Sequence, residues 1–248
     1  MPLTRRLGGF LLHRAVPGLA PVLPALAAAA LDDDRPSPWS AGRSYASATA
    51  RERADALETI YMPISAQGGN LLYTLVRASR PSTVVEFGTS FGISTIYLAA
   101  AVTDNGTGHV ASTELNTTKI TAARANLTEA GVAAPVTILP GDALSTLAEI
   151  PGPIGLLLLD GWKDMCLPVL RLLEDRLAPG AVVVADDITL PSMGSYLAYV
   201  RDPASGYVNA TFRSRTAWRS AAARAAATAR TARAPSNLGM AIAWPARY

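Results

Sequence analysis

Val84-Val85-Glu86-Phe87-Gly88-Thr89-Ser90-Phe91-Gly92-Ile93-Ser94 joins a β-branched strand, Thr83–Phe87, to a helix over Gly92–Ala101 through a glycine-marked turn. Gly88 can take backbone angles closed to other residues, and Gly92 lets a ligand approach the start of the helix. That helix start offers free N–H groups and a positive dipole end to a carboxylate. The spacing is Glu-x-Gly-x-x-x-Gly and not Gly-x-Gly-x-x-Gly, so the dinucleotide fingerprint is absent. Taken alone, the motif is equally a plain strand, turn and helix, because glycine-rich turns recur in α/β folds.

Outward from this unit the chain alternates. Before it, a polar helix is predicted over Thr49–Tyr61 and an amphipathic one over Gln67–Ala78, with Leu71, Leu72, Leu75 and Val76 on one face. After it, strands are predicted at His109–Glu114, Val136–Leu139, Ile154–Asp160, Ala181–Ala185 and Tyr207–Phe212. Helices fall at Thr117–Ala130, Ala143–Ile150, Leu167–Leu177 and Ser192–Arg201. The wholly apolar Ile154–Leu159 suits a central parallel strand buried on both faces. Alternating β and α units predict an α/β fold with an open, mostly parallel, doubly wound sheet. Such sheets bind ligands at the carboxyl ends of their strands.

Carboxylates collect at those ends. Glu86 supplies negative charge for the cationic amino and sulfonium groups of a methionine-like ligand. Glu114 ends the second strand, where it either accepts ribose hydroxyls or faces solvent. Asp142 either caps the next helix or accepts an adenine amino group. The fourth strand runs into Asp160-Gly161-Trp162-Lys163-Asp164 and the fifth into Asp186-Asp187. Three carboxylates in one pocket repel unless a cation neutralises them. Oxygen donors without His or Cys point to Mg²⁺, Mn²⁺ or Ca²⁺; the alternative is that some of them cap helices or face water. Lys163 becomes a base if burial and a nearby cation lower its pKa, or is a surface lysine paired with Asp164. Trp162 packs on a flat ligand or on the core, and core packing is expected of Phe91 and Cys166.

Bulk composition narrows the classes. The 248 residues are half hydrophobic and 17% charged, as in an ordinary globular chain. A single cysteine excludes an internal disulfide and fits a reducing, cytoplasmic setting. Two histidines, His13 and His109, leave little for histidine-based chemistry. Arg5 and Arg6 precede an apolar stretch with a faint leader-like pattern, which His13, Arg14, Pro17, Pro21 and Pro24 interrupt. No apolar run approaches the ~20 residues that span a bilayer. The expected partner is a small molecule, with neither nucleic acid nor membrane; a homodimer is compatible.

The chain divides into an N-terminal helical extension and linker (1–50), a central domain (51–212) and an atypical tail (213–248). The tail holds seven arginines and no acid, and without it 15 basic residues face 19 acidic ones. Codons for Arg213–Ser220 can be chosen as CGG TCG AGG ACG GCA TGG AGA TCA, and these spell Val-Glu-Asp-Gly-Met-Glu-Ile two bases later. A frameshift near codon 212 is one reading, with a damaged final strand as its consequence; a genuine basic helix over 213–234 is the other.

These residues resemble the catechol O-methyltransferase group of the cation-dependent O-methyltransferases, over about Met62 to Arg201. Leu159-Asp160-Gly161-Trp162-Lys163-Asp164 is similar to that family's Leu-Asp-His-Trp-Lys-Asp, and Ala185-Asp186-Asp187 to its Ala-Asp-Asn. The resemblance implies a Rossmann-like class I methyltransferase that uses S-adenosyl-L-methionine and Mg²⁺ or another divalent cation. It implies Asp160, Asp186 and Asp187 as metal ligands and Lys163 as general base. It also implies a cofactor site lined by Ile64, Glu86, Gly88, Ser94, Glu114, Asp142 and Trp162. The acceptor would be a small, vicinal-diol aromatic. The alternatives are a class I methyltransferase with another acceptor, or an inactive protein of that fold because of the altered C-terminus. Gly161 and Asp187 depart from the family's histidine and amide.

Overall fold

The computed structural model describes residues 22–26, 28, 47–213 and 239–245. Within them the expected alternation appears as α1 (Ala50–Ala56), α2 (Ala66–Ser79), β1 (Thr83–Phe87), α3 (Ile93–Asn105), β2 (His109–Glu114) and α4 (Thr117–Glu129). It continues through β3 (Val136–Pro140), α5 (Ala143–Thr146), β4 (Ile154–Leu159), α6 (Cys166–Leu173), β5 (Leu177–Ala185), α7 (Gly194–Arg201), β6 (Tyr207–Arg213) and β7 (Gly239–Pro245). The sheet order is β3-β2-β1-β4-β5-β7-β6. The first five are parallel and β7 runs antiparallel to both neighbours. The chain reverses its direction of sheet growth between β1 and β4, and the carboxyl ends of those two strands flank the crevice where open sheets bind ligands.

Side-chain alternation builds two cores. Val84, Val110, Leu156, Leu158, Val182 and Val184 face a layer that contains α2, α3 and α4. Val85, Phe87, Leu157, Leu159, Val183 and Ala185 face the layer of α5, α6 and α7. β4 is buried on both sides, as its unbroken apolar run requires. Helical residues Val22 and Leu26 pack into the first core.

The boundaries differ where tertiary packing overrides local pattern. The helix predicted over Thr49–Tyr61 stops at Ala56, after a capping box of Thr49 and Glu52. Ile60–Pro63 then has no regular secondary structure; Pro63 disfavours helical angles at Met62. The ends of α5 and α6 tighten into 3₁₀ turns at Leu147–Glu149 and Glu174–Arg176.

A larger difference lies at the C-terminal end. Gly239-Met240-Ala241-Ile242-Ala243-Trp244-Pro245, read in sequence as tail, is the strand that fills the slot between β5 and β6. Its register sets Ala185 against Ala241, and Arg213 against Gly239. Part of the stretch read as tail thus contributes a strand of the sheet. Alanine-rich and following an Arg/Ala run, it carries little strand signal. Residues 214–238, which include most of the proposed frameshift window, lie outside the described residues.

Glu86 is the costly element of this core. It is fully buried, and the parallel register sets it opposite Ser112. Ser112 Oγ and Thr95 Oγ1 each donate to its Oε2 at 2.5 Å. Burial outweighs these donors and lifts its pKa from about 4.5 to about 7.

Two expectations follow. Ile242 is 1% exposed, so Ile242→Ala should cost about 2–5 kcal/mol in denaturant unfolding; an unchanged midpoint would show that β7 lies outside the core. A folded-state pKa above the unfolded one gives stability that is full below pH ~4.5 and falls as pH rises towards 7. Glu86→Gln, measured by pH-dependent unfolding, should flatten a slope worth about 3 kcal/mol across that window. An unaltered pH profile would contradict an uncharged buried Glu86.

Candidate active site

The carboxyl ends of β1 to β5 open into a cavity of about 490 Å³. Its size is within the range of small-molecule pockets. The crossing at its floor is steric. Gly88 has φ +104°, and a Cβ there would stand 2.7 Å from the backbone nitrogen of Gly161. A Cβ on Gly161 would in turn meet the Phe87 ring at 2.4 Å. So the Phe87 ring occupies the space beside Gly161, and the turns after β1 and β4 pass at backbone contact.

Of the residues that the resemblance implied for a cofactor, Ile64, Gly88, Ser94, Glu114, Asp142 and Trp162 line this cavity. Glu86 does not. It sits inside the strand on the same face as Val84, beneath α3; its Oε2 accepts from Ser112 and Thr95, while its buried Oε1 has no hydrogen-bond partner among the described residues. Gly92 has φ +84° and no side-chain cap, so the first turn of α3 keeps its amides free for a ligand.

Glu114 is an organised acceptor. Its Oε1 takes hydrogen bonds from the backbone nitrogens of Leu115 and Asn116 at 2.8 and 2.9 Å, and Oε2 from that of Ser90 at 2.8 Å. Ser90 adopts φ +48° to reach it. Asp142 does cap a helix, accepting from Leu144 N at 2.9 Å, while also lining the cavity. The two roles are compatible, since one carboxylate oxygen remains.

The acidic cluster occupies the other half. Asp160, Lys163, Asp186 and Asp187 all line the same cavity. Lys163 Nζ donates to Asp160 Oδ1 at 2.8 Å and stands 3.6 Å from Asp187 Oδ2. Asp187 holds φ +55°, a left-handed conformation that Asp and Asn tolerate best. Burial and the charges of Asp160 and Asp187 push Asp186 up to about 8. For Lys163 burial pulls downward, but Asp160 and Asp187 outweigh it and hold the pKa above its ordinary value. With no cation in the cluster, Lys163 is held as an ammonium ion. It is not paired with Asp164, which instead binds Arg53 through both oxygens at 3.0 and 2.8 Å.

Three acidic side chains share one ammonium, a crowding that Asp186 meets by keeping its proton; ionised, such donors suit a hard divalent cation. The donor chemistry fits; the assembly is incomplete. Among the described residues no three His, Cys, Asp or Glu side chains are disposed to hold a metal ion. Lys163 stands between two of the three expected ligands.

Several lining residues carried no sequence signal. Ala50, Ala54 and Leu57 of the α1 segment, with Tyr61 and Met62, form a wall. Arg53 ties it to the Lys163–Met165 turn, and Arg51 Nη1 donates to Leu115 O at 3.1 Å. Phe91, assigned to the core, is buried yet also lines the cavity, its ring stacked on Tyr61 at 3.9 Å between centroids. Cys166 is fully buried in the core, as expected, and burial raises its thiol pKa to about 12. No described helix is long and apolar enough to cross a membrane.

A protein family described as a methyltransferase domain matches residues 85–188. Catechol O-methyltransferase of Mycobacterium tuberculosis (strain ATCC 25618 / H37Rv) is 34% identical over 148 residues, 59% of this chain and 66% of that enzyme. Catechol O-methyltransferase of Sus scrofa is 28% identical over 147 residues, 56% of this chain and 78% of that enzyme. The chain thus spans just under two thirds of the length of the mycobacterial relative. O-methyltransferase TomG of Streptomyces achromogenes, involved in tomaymycin synthesis and solved in complex with SAM, shares the fold. Its TM-score is 0.62 at 22% identity, over 80% of this chain and 88% of that one. With its sheet order, its methyltransferase-domain match over 85–188 and these relatives, the chain has the fold of the class I methyltransferases and is similar to the catechol O-methyltransferases.

Proposed function

We propose that this chain transfers the methyl group of S-adenosylmethionine to a hydroxyl oxygen of a small aromatic acceptor bearing vicinal hydroxyls, with a divalent cation completing the acidic cluster. One observation carries the reading. The carboxylate suited to a nucleoside, Glu114, and the cluster Asp160, Lys163, Asp186 and Asp187 open into one cavity. Donor and acceptor held side by side is what transfer between two bound molecules requires.

Bound S-adenosylmethionine supplies an electrophilic methyl on sulfur, and a bound divalent cation supplies charge that lowers the pKa of an acceptor hydroxyl. The chain's residues do the rest. The first turn of α3 and Gly88 receive the amino-acid end of the donor, Glu114 its ribose and the Asp142 region its base. Ile64 and the stacked Tyr61 and Phe91 exclude water. Asp160, Asp186 and Asp187 are the proposed ligands of the cation. With their charge engaged, Lys163 loses the partners that keep it protonated, and its Nζ takes the acceptor's proton. A reducing, cytoplasmic setting suits the buried thiol of Cys166.

Metal-independent methyl transfer is the second reading, favoured by the Lys163 ammonium already lodged between Asp160 and Asp187. An inactive protein is disfavoured by the formed β7, which completes the sheet beside the cluster.

Methyl transfer to a panel of catechols, with and without EDTA, separates these. The proposal expects turnover that EDTA abolishes and Mg²⁺ restores; turnover indifferent to EDTA would leave the second reading. Lys163→Ala should lower kcat about 10²–10⁴-fold, whereas a near-normal rate would remove the proposed base. Calorimetric titration of Mg²⁺ should give binding that Asp186→Asn weakens, and equal binding by both proteins would take Asp186 out of the ligand set.

A further inference from the structure

Lys119 is the buried charge that the mechanism above leaves unused. It lies in the first turn of α4, is 3% exposed, and lines the cavity beside Glu114. Its backbone nitrogen is capped by Asn116 Oδ1 at 3.0 Å. Its ammonium stands 5.4 Å from the centroid of the Phe91 ring, which the Tyr61 ring backs on the other side. Among the described residues its Nζ has neither a hydrogen-bond acceptor nor a carboxylate within ion-pair distance. Burial lowers the Lys119 pKa to about 8 against the pull of the Glu114 charge; a buried cation with a ring face and no direct acceptor is expensive to keep, and an open cavity is where its missing acceptors enter.

Glu114 indicates what those acceptors are. A carboxylate has about four acceptor directions, and three on Glu114 are already taken by the amides of Ser90, Leu115 and Asn116. About one remains for a ligand donor. A vicinal diol brings two O–H donors and two oxygen acceptors, so the carboxylate alone satisfies only part of it. An ammonium donates and never accepts. The two side chains together match a diol in which one hydroxyl gives its proton to Glu114 and oxygen lone pairs receive Lys119.

We propose that Lys119 is a cofactor-binding residue, whose ammonium donates to the ribose hydroxyl oxygens of the nucleoside that Glu114 accepts from. This rests on the S-adenosylmethionine reading above and adds to it a specificity for the intact ribose diol.

The test is calorimetric titration of S-adenosylhomocysteine, and of its 2′-deoxy and 3′-deoxy analogues, into the wild-type chain, Lys119→Met and Lys119→Gln. Lys119→Met should weaken S-adenosylhomocysteine about 10- to 100-fold, the range of a charge-assisted hydrogen bond. For at least one deoxy analogue wild type and variant should bind alike, because the acceptor is already gone. Without ligand, Lys119→Met should melt at or above the wild-type temperature, since it removes an uncompensated buried charge. Unchanged affinity for S-adenosylhomocysteine in both variants would overturn the proposal. So would an equal loss for the parent and both deoxy analogues, or a variant that melts lower and binds less for that reason alone. A wild-type chain that binds no S-adenosylhomocysteine would instead remove the cofactor reading itself, and this inference with it.

Discussion

Everything in the site depends on two turns passing at backbone contact. The loop after β1 crosses the loop after β4 where Gly88 meets Gly161 and Asp160, closer than any Cβ allows. That contact joins the halves of the cavity. One half is the glycine turn and Glu114 at the ends of β1 and β2, built from backbone amides and a single carboxylate. The other is the acidic cluster at the ends of β4 and β5. The parallel pairing of β1 with β4 sets their registers, and the reversal of strand order between them leaves the crevice open.

Charge then decides the chemistry. The half around Glu114 is nearly balanced, its carboxylate bonded to backbone amides with the Lys119 charge nearby. The other half is not, because Asp160, Asp186 and Asp187 share one ammonium. Asp186 responds by holding its proton to about pH 8, while Lys163 holds its own more tightly than a free lysine. A cation entering this cluster would reverse both tendencies at once, releasing a proton from Asp186 and freeing the amine. The acid–base state of the site is therefore coupled to what it binds.

Much of this was legible in the sequence. Strands β1 to β5 announce themselves through β-branched or wholly apolar runs, and the βα alternation gives their parallel pairing, though not their order in the sheet. The carboxylates at their ends follow from the strand boundaries, so Glu114, Asp160, Asp186 and Asp187 were found by position alone. Glu86, expected in the cofactor site, is buried behind the cavity wall for a reason the pleat explains. One residue inside the strand end it belongs to a layer, not to the opening. Lys119 was passed over because nothing local separates a buried helix lysine from a solvated one, and Phe91, expected to be buried and found so, has a second role at the cavity wall that only the fold reveals. The wall made by α1 was also hidden, since its docking rests on Arg53 reaching Asp164, 111 positions away. β7 was lost within the composition of its neighbours.

The claim that one cavity holds both a sulfonium donor and a cation-binding cluster is most directly tested by crystallography of the chain with S-adenosylhomocysteine and Mn²⁺, using anomalous scattering at the manganese edge. The account predicts the nucleoside against Glu114 and a single manganese peak within coordination distance of Asp160, Asp186 and Asp187, with Lys163 displaced. Nucleoside density with no manganese peak in that cavity, and Lys163 still between Asp160 and Asp187, would contradict it.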